Sequence, residues 1–292
     1  GAEPVRHDGG HRPATAPTPS PRTPSNTPPS PQEIPGGLMV SQDGYSLQVL
    51  DDLVEAPGRT QLRFRVTDPT GAPLTSYDES HGKDLHLIAV RRDLGAFQHV
   101  HPRLGANGTW SIPLDLDAPG EYRIFADFRP AAAESGYTLG HDLSVAGSYR
   151  PRPLPATSRT ARVDGYQVRL DGDLVAGETS RLRLSVTQGG RPVTDLQPYL
   201  GASGHLVALR EDDLAYLHVH PDGDPSDGRT AAGPTITFDA EVPSTGDFRL
   251  FLDFRHAGRV HTAAFTVSAS RPGNPGTAPA PTEETHDDAA HH

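Results

Sequence analysis

At 292 residues with two proline-rich ends, the chain leaves about 230 residues to fold, enough for two domains of roughly 110 each. A formal net charge of −11 without any basic cluster argues against nucleic acid as a partner. The absence of cysteine excludes disulfides, thiolate metal sites and a lipid-modified cysteine in this chain, and no apolar run is long enough to span a bilayer.

Residues 1–37 carry ten prolines among Ser, Thr and Ala and read as an extended, disordered tail. The chain opens on Gly1 rather than Met, so a removed N-terminal signal or anchor is expected, and this is the only membrane association foreseen. A Pro/Thr/Ser-rich stalk leading into β domains suits a bacterial protein that is secreted or held on the outer face of the cytoplasmic membrane. The first domain, 38–146, shows alternating segments at Tyr45-Ser-Leu-Gln-Val, Leu62-Arg-Phe-Arg-Val-Thr, Gly108-Thr-Trp-Ser-Ile and Gly120-Glu-Tyr-Arg-Ile-Phe-Ala-Asp127-Phe, then a last strand from His141. Residues 147–160, rich in Pro and Arg, read as a linker of little energetic weight. The second domain, 161–268, repeats the pattern at Tyr166-Gln-Val-Arg-Leu, Leu182-Arg-Leu-Ser-Val-Thr, Thr235-Ile-Thr-Phe and Gly246-Asp-Phe-Arg-Leu-Phe-Leu-Asp253-Phe, with a last strand from His261. Residues 269–292 read as a disordered acidic, histidine-bearing tail. About seven short strands per domain, with turn signals such as Asn107-Gly108, predict an all-β chain of two tandem immunoglobulin-like or cupredoxin-like antiparallel sandwiches.

Within each domain one segment is repeated closely: Asp84-Leu-His86-Leu-Ile-Ala-Val-Arg-Arg-Asp-Leu-Gly-Ala-Phe-Gln-His99-Val-His101-Pro102, and Gly204-His205-Leu-Val-Ala-Leu-Arg-Glu-Asp-Asp-Leu-Ala-Tyr-Leu-His218-Val-His220-Pro221. Each reads as a β-hairpin closed by a six-residue turn, with Ile88 opposite His99, His86 opposite His101, Val207 opposite His218 and His205 opposite His220. Side chains two apart on a strand share a face, and opposed Cβ atoms lie about 4.5–5.5 Å apart. Three imidazoles in each domain could then converge on one ion. An isolated His-x-His is more often a surface or hydrogen-bonded pair. Retention of all three histidines in both copies favours ligands: His86, His99 and His101 in one site, His205, His218 and His220 in a second, separate one.

Weaker candidates surround these. Asp127 and Asp253 occupy equivalent strand positions from which a carboxylate could orient a ligating imidazole, although a plain turn role weighs equally. His81 reads as a loop residue before an extra ligand. His141, His256 and His261 read as surface residues, and the tail histidines His7, His11, His286, His291 and His292 as loose binders at most.

The tandem HLIAVRRDLGAFQHVHP and GHLVALREDDLAYLHVHP segments, with their YRIFADF and FRLFLDF companions, resemble an uncharacterised actinobacterial family of secreted or membrane-anchored tandem HxHP-repeat proteins. That family is similar in character to periplasmic copper-handling β-sandwich modules of the YtkA-like and cupredoxin-like kinds. The resemblance covers residues 38–268 and implies the six repeat histidines as copper ligands, with a copper transporter or metalloprotein acceptor as partner. Cysteine is absent and Met39 is the one methionine, so a soft Cu(I) site is disfavoured against copper(II), with zinc as the alternative. Metal binding, storage or delivery is therefore expected ahead of a zinc or copper metalloenzyme, for which no paired base stands beside the sites, though Glu79 and Glu211 lie near. The third class is a structural cell-surface protein with non-ligating histidines.

Overall fold

The computed structural model describes residues 34–273, so the terminal stretches and their five histidines lie outside the described residues. Domain one contains β1 (Ser41–Gln42), β2 (Tyr45–Val49), β3 (Leu53–Val54), β4 (Gly58–Thr67), β5 (Tyr77–Asp78), β6 (Leu85–Arg91), β7 (Gln98–Val100), β8 (Arg103–Leu104), β9 (Thr109–Leu116), β10 (Gly120–Pro130) and β11 (Tyr137–Val145). Domain two contains β12 (Thr160–Val163), β13 (Tyr166–Asp171), β14 (Thr179–Gln188), β15 (Arg191–Pro192), β16 (Gly204–Arg210), β17 (Val219–Pro221), β18 (Thr235–Glu241), β19 (Gly246–His256) and β20 (Arg259–Ala269).

Each domain is an antiparallel immunoglobulin-like sandwich, as the strand spacing predicts. In domain one the sheets run β1-β2-β4-β9-β8 and β3-β11-β10-β6-β7, with β5 on β10; in domain two they run β12-β13-β14-β18-β17, with β15 on β14, and β16-β19-β20. The β3–β11 pair is parallel. Each sandwich has its own core, Phe64, Trp110, Ile124 and Phe128 among the buried residues of the first, and Leu184, Phe238, Phe254 and Phe265 of the second.

The two sandwiches pack against each other through a third core. Every residue of β6 is buried, because alternate side chains serve two layers. Leu85, Leu87 and Ala89 enter the core of domain one, while Ile88 and Val90 meet Val207, Leu209 and Phe251 of domain two. The contact is reciprocal. Phe97 stacks on Phe251 with centroids 3.9 Å apart, and their counterparts Tyr216 and Phe125 meet at 5.6 Å. His86 stacks on its counterpart His205 at 5.4 Å. Equivalent positions meeting across one interface is the pattern a two-fold, isologous contact gives.

Two connecting segments contribute to this layer, contrary to the sequence reading. The linker is docked: Leu154 packs against the interdomain core, the Arg152 amide donates to Asp93, and Tyr149 lies under the Arg91 guanidinium. Residues 36 and 37, assigned to the tail by their composition, belong to the fold. The Tyr216 amide donates to the Gly36 carbonyl, and the Gly37 amide to the Thr138 carbonyl. Gly37 has a positive φ of 76°, and a Cβ there would sit 2.4 Å from the Phe125 ring, so no other residue fits.

Candidate metal centre

In domain one the predicted hairpin register is the observed one: Leu87 pairs with Val100, Ile88 with His99 and Ala89 with Gln98. His86, on β6, and His99, on β7, therefore face the interdomain layer, with His101 just beyond. In domain two the hairpin begins as predicted, Leu209 bridging to Tyr216, but then departs. The chain leaves β16 after Leu217 and crosses to the other sheet, where β17 pairs with β18, Val219 opposite Ala240 and His220 opposite Asp239. The expectation of one complete triad per domain is corrected accordingly. His86 and His99 converge with His205 of the other domain, their ligand atoms within 4.8 Å of one another, while His218 and His220 join Glu241 at the surface.

The reason lies at one position. Gln98 uses its side-chain amide to donate to the Asp115 carbonyl, and its side-chain carbonyl accepts from the Asp115 amide. These are the edge groups of β9. The equivalent edge residue of β18 is Glu241, by the registers Arg59–Asp115 and Thr179–Glu241. Leu217 stands where Gln98 does and has no polar atom to cap that edge. It is buried in the core of domain two, and the Glu241 amide donates to the main chain at His218 instead.

Hydrogen-bond partners fix the tautomers of the buried cluster. His86 Nε2 lies 2.9 Å from the Ser80 carbonyl, an acceptor only, so Nε2 carries the proton and the Nδ1 lone pair points into the cluster. His99 Nδ1 donates across the domain boundary to an Asp253 carboxylate oxygen at 2.8 Å, leaving Nε2 to face His86 Nδ1 at 3.1 Å. His101 Nε2 approaches the same His86 nitrogen at 3.2 Å. His205 Nδ1 is buried and has no hydrogen-bond partner among the described residues, a condition costing about 1–3 kcal/mol if nothing fills it.

Burial favours the neutral form, the one that can bind a metal, at His86, His101 and His205. Desolvation, partly offset by the Ser80 carbonyl, brings His86 down to about 4. Desolvation with neighbouring His99 and His86 brings His101 to about 3, and burial with the surrounding histidines carries His205 well below the usual value. Tetrahedral zinc with bonds of about 2.0–2.1 Å needs nitrogens about 3.3 Å apart. The His86–His99 and His86–His101 separations already match that edge.

The remaining candidates separate clearly. Asp253 is buried, held by Thr262 Oγ1 at 2.5 Å, and orients His99 of the other domain rather than a histidine of its own. Asp127, its counterpart, accepts from Thr138 Oγ1 at 3.3 Å and from no other donor among the described residues, and desolvation pushes its carboxyl up. His81 is drawn in beside the cluster, its ring centroid 6.2 Å from His86 and 6.0 Å from His205. His141 bonds the Asp142 carbonyl. His256 and His261 are not free surface residues: the first is bonded by the Tyr166 hydroxyl and Asp195, and the second is buried against Asp164. Glu241 and Gln98 escaped the sequence reading, although the Gln98/Leu217 difference between the repeats was visible.

Residues 40–145 and 161–271 match the family model described as a domain of unknown function, DUF8832. No curated protein matches the chain. Among solved structures, the Escherichia coli adhesin FdeC is 15% identical, with 79% of this chain and 65% of that chain covered and a TM-score of 0.26. InvD of Yersinia pseudotuberculosis is 12% identical, with 79% and 58% covered and a TM-score of 0.25. The chain thus spans less than two thirds of either. Among the described residues no helix is long and apolar enough to cross a membrane.

Proposed function

For a chain that belongs to the DUF8832 family of domains of unknown function, we propose an extracytoplasmic metal-binding role, centred on one divalent ion held between the two domains. His86, His99 and His205 are the ligands, with His101 beside them as the fourth. The observation that carries this reading is a convergence of imidazole nitrogens from both domains within 4.8 Å of one another; His205 also has a buried Nδ1 with no partner among the described residues. The Asp253–His99 bond supports it, since a carboxylate behind a ligating imidazole fixes the tautomer and raises its basicity. An all-nitrogen donor set suits copper(II) or zinc. Storage, or delivery to an acceptor metalloprotein, follows from a site closed by protein on several sides.

A second reading has its own support: three of the four imidazoles are hydrogen-bonded within the protein, as a polar latch between domains of a structural surface protein would be. The two readings part on titration. The 292-residue chain with His7, His11, His286, His291 and His292 replaced by Ala should take up one zinc or copper(II) ion tightly and melt at higher temperature when loaded, because an ion that binds only the folded state stabilises it. No saturable site, with no shift in melting, would leave the latch standing and the metal reading refuted.

A further inference from the structure

His218, His220 and Glu241 form a second constellation at the surface. It follows from the register of β17 on β18: Val219 opposes Ala240, so His218 stands directly opposite Glu241, and His220 lies two residues along on the same face. The two imidazole rings are perpendicular, with centroids 4.1 Å apart. Two imidazoles and a carboxylate in this arrangement offer three donors to a divalent transition metal and leave its other positions to water.

Between this triad and the buried centre stands His81. Its loop is closed by two hydrogen bonds between Ser80 and Lys83 and tied to the centre, since the Ser80 carbonyl holds His86 Nε2. His81 has a positive φ of 48°, a conformation that costs energy for a residue with a Cβ. His81 is half-buried and lines a cleft of about 10 Å³ with Gly204, His205, Val219 and Pro221, the last two being the chain neighbours of His220. Desolvation, then the proximity of His220 and His218, lowers its proton affinity.

We propose that His218, His220 and Glu241 are a surface capture site for a divalent transition metal ion, and that His81 relays the ion from there to the buried centre. This rests on the buried centre being a metal site. The transfer is ligand exchange: a bond from the ion to His218 or His220 breaks as one to His81 forms, and that in turn is replaced by one to His205, with no change of oxidation state.

The test uses cobalt(II) as the probe, with the 292-residue chain lacking the five tail histidines, loaded in stopped flow and stripped with a chelator. The parent should bind two ions, one tight and one weak. His218→Ala/His220→Ala should lose the weak ion, keep the tight one within about threefold in affinity, and load at least about tenfold more slowly. His81→Asn, which tolerates the positive φ, should slow loading likewise. A relay alters no equilibrium, so chelator-driven release must slow by the same factor as loading. Variants that load and release at the parent rate would overturn the relay while leaving the tight site intact. A single weak ion, lost in the surface variant with no tight ion in the parent, would overturn the relay and the metal reading of the buried centre together.

Discussion

The two His-x-His-Pro segments are the same motif at the same distance from the same first histidine, yet one enters the interdomain layer and the other is exposed on the outer sheet. The outer-sheet pairing that follows has the same register in both domains: Arg103 opposite Ser111 in one, and the Asp222 amide on the Thr237 carbonyl in the other. What differs is how far back that pairing extends. Gln98 caps the edge of β9 with its side chain and so keeps His99 on β6; Leu217 leaves the edge of β18 open, and the main chain fills it. A motif specifies its residues, and a neighbour outside it decides where they go. A pair of single substitutions tests this difference. His99→Ala should weaken zinc or copper(II) binding at the tight site by about 1000-fold or more, roughly 4 kcal/mol, whereas His218→Ala should change it by less than about threefold. Competitive titration in the background lacking tail histidines measures both, and equal losses would mean that the domains use their triads alike.

The side chains that set the difference can be compared on stability as well. Leu217 is a core residue, so Leu217→Ala should cost about 2–5 kcal/mol, and Gln98→Ala, which loses two exposed hydrogen bonds, about 1 kcal/mol or less, both read from urea unfolding. Gln98→Leu is more informative, since it should free the β9 edge and lower metal affinity without touching a ligand. This asymmetry marks what was legible in the sequence. The strand alternation, the turn chemistry and the domain-one register follow from local pattern, and the structure has them. The interdomain layer was written in the sequence too, in His-Leu-Ile-Ala-Val and His-Leu-Val-Ala-Leu runs with apolar residues on both faces, which only a strand covered on both sides has reason to carry. The sequence predicts two separate sites because each hairpin is locally complete in itself. The crossing after Leu217 depends on a competition between a side chain and a main chain for one strand edge, which periodicity does not encode.

Acid should act on the same layer. His86 is held at about 4 and His101 at about 3, below the unfolded value of about 6.5. The unfolded chain therefore binds more protons than the folded one between these limits, so stability is complete above about pH 6.5 and is lost as pH falls toward 4. The shift at the fully buried His86 alone corresponds to about 3 kcal/mol. Urea midpoints of metal-free protein at pH 7.5, 6, 5 and 4 should fall progressively, and a His86→Asn/His101→Asn variant should flatten that curve. A flat curve in the parent would mean that these imidazoles are not buried as described.

The same asymmetry recurs one layer behind the histidines, at the aspartates. Asp127 and Asp253 are equivalent in sequence, each opposite the first histidine of its domain, at His86 and His205. Their threonine partners are equivalent too. Under two-fold symmetry, the His99–Asp253 bond would have a mate from His218 to Asp127, and that mate is missing because β17 has carried His218 away. Asp253 is left with a hydrogen bond to the His99 imidazole, and Asp127 with one long threonine contact and an unfavourable desolvation that pushes its carboxyl up. Asp253→Asn should therefore lower metal affinity about 10–100-fold, the usual loss when the partner behind a ligating histidine is weakened. Asp127→Asn should leave affinity within about threefold. It should also leave stability near pH 7 unchanged or raised, since a carboxyl whose folded value lies above its unfolded one opposes folding once ionised. The paired titrations and urea midpoints decide this directly: equal affinity losses from the two aspartates would require His218 to reach Asp127 in solution and would restore the symmetric pair of triads.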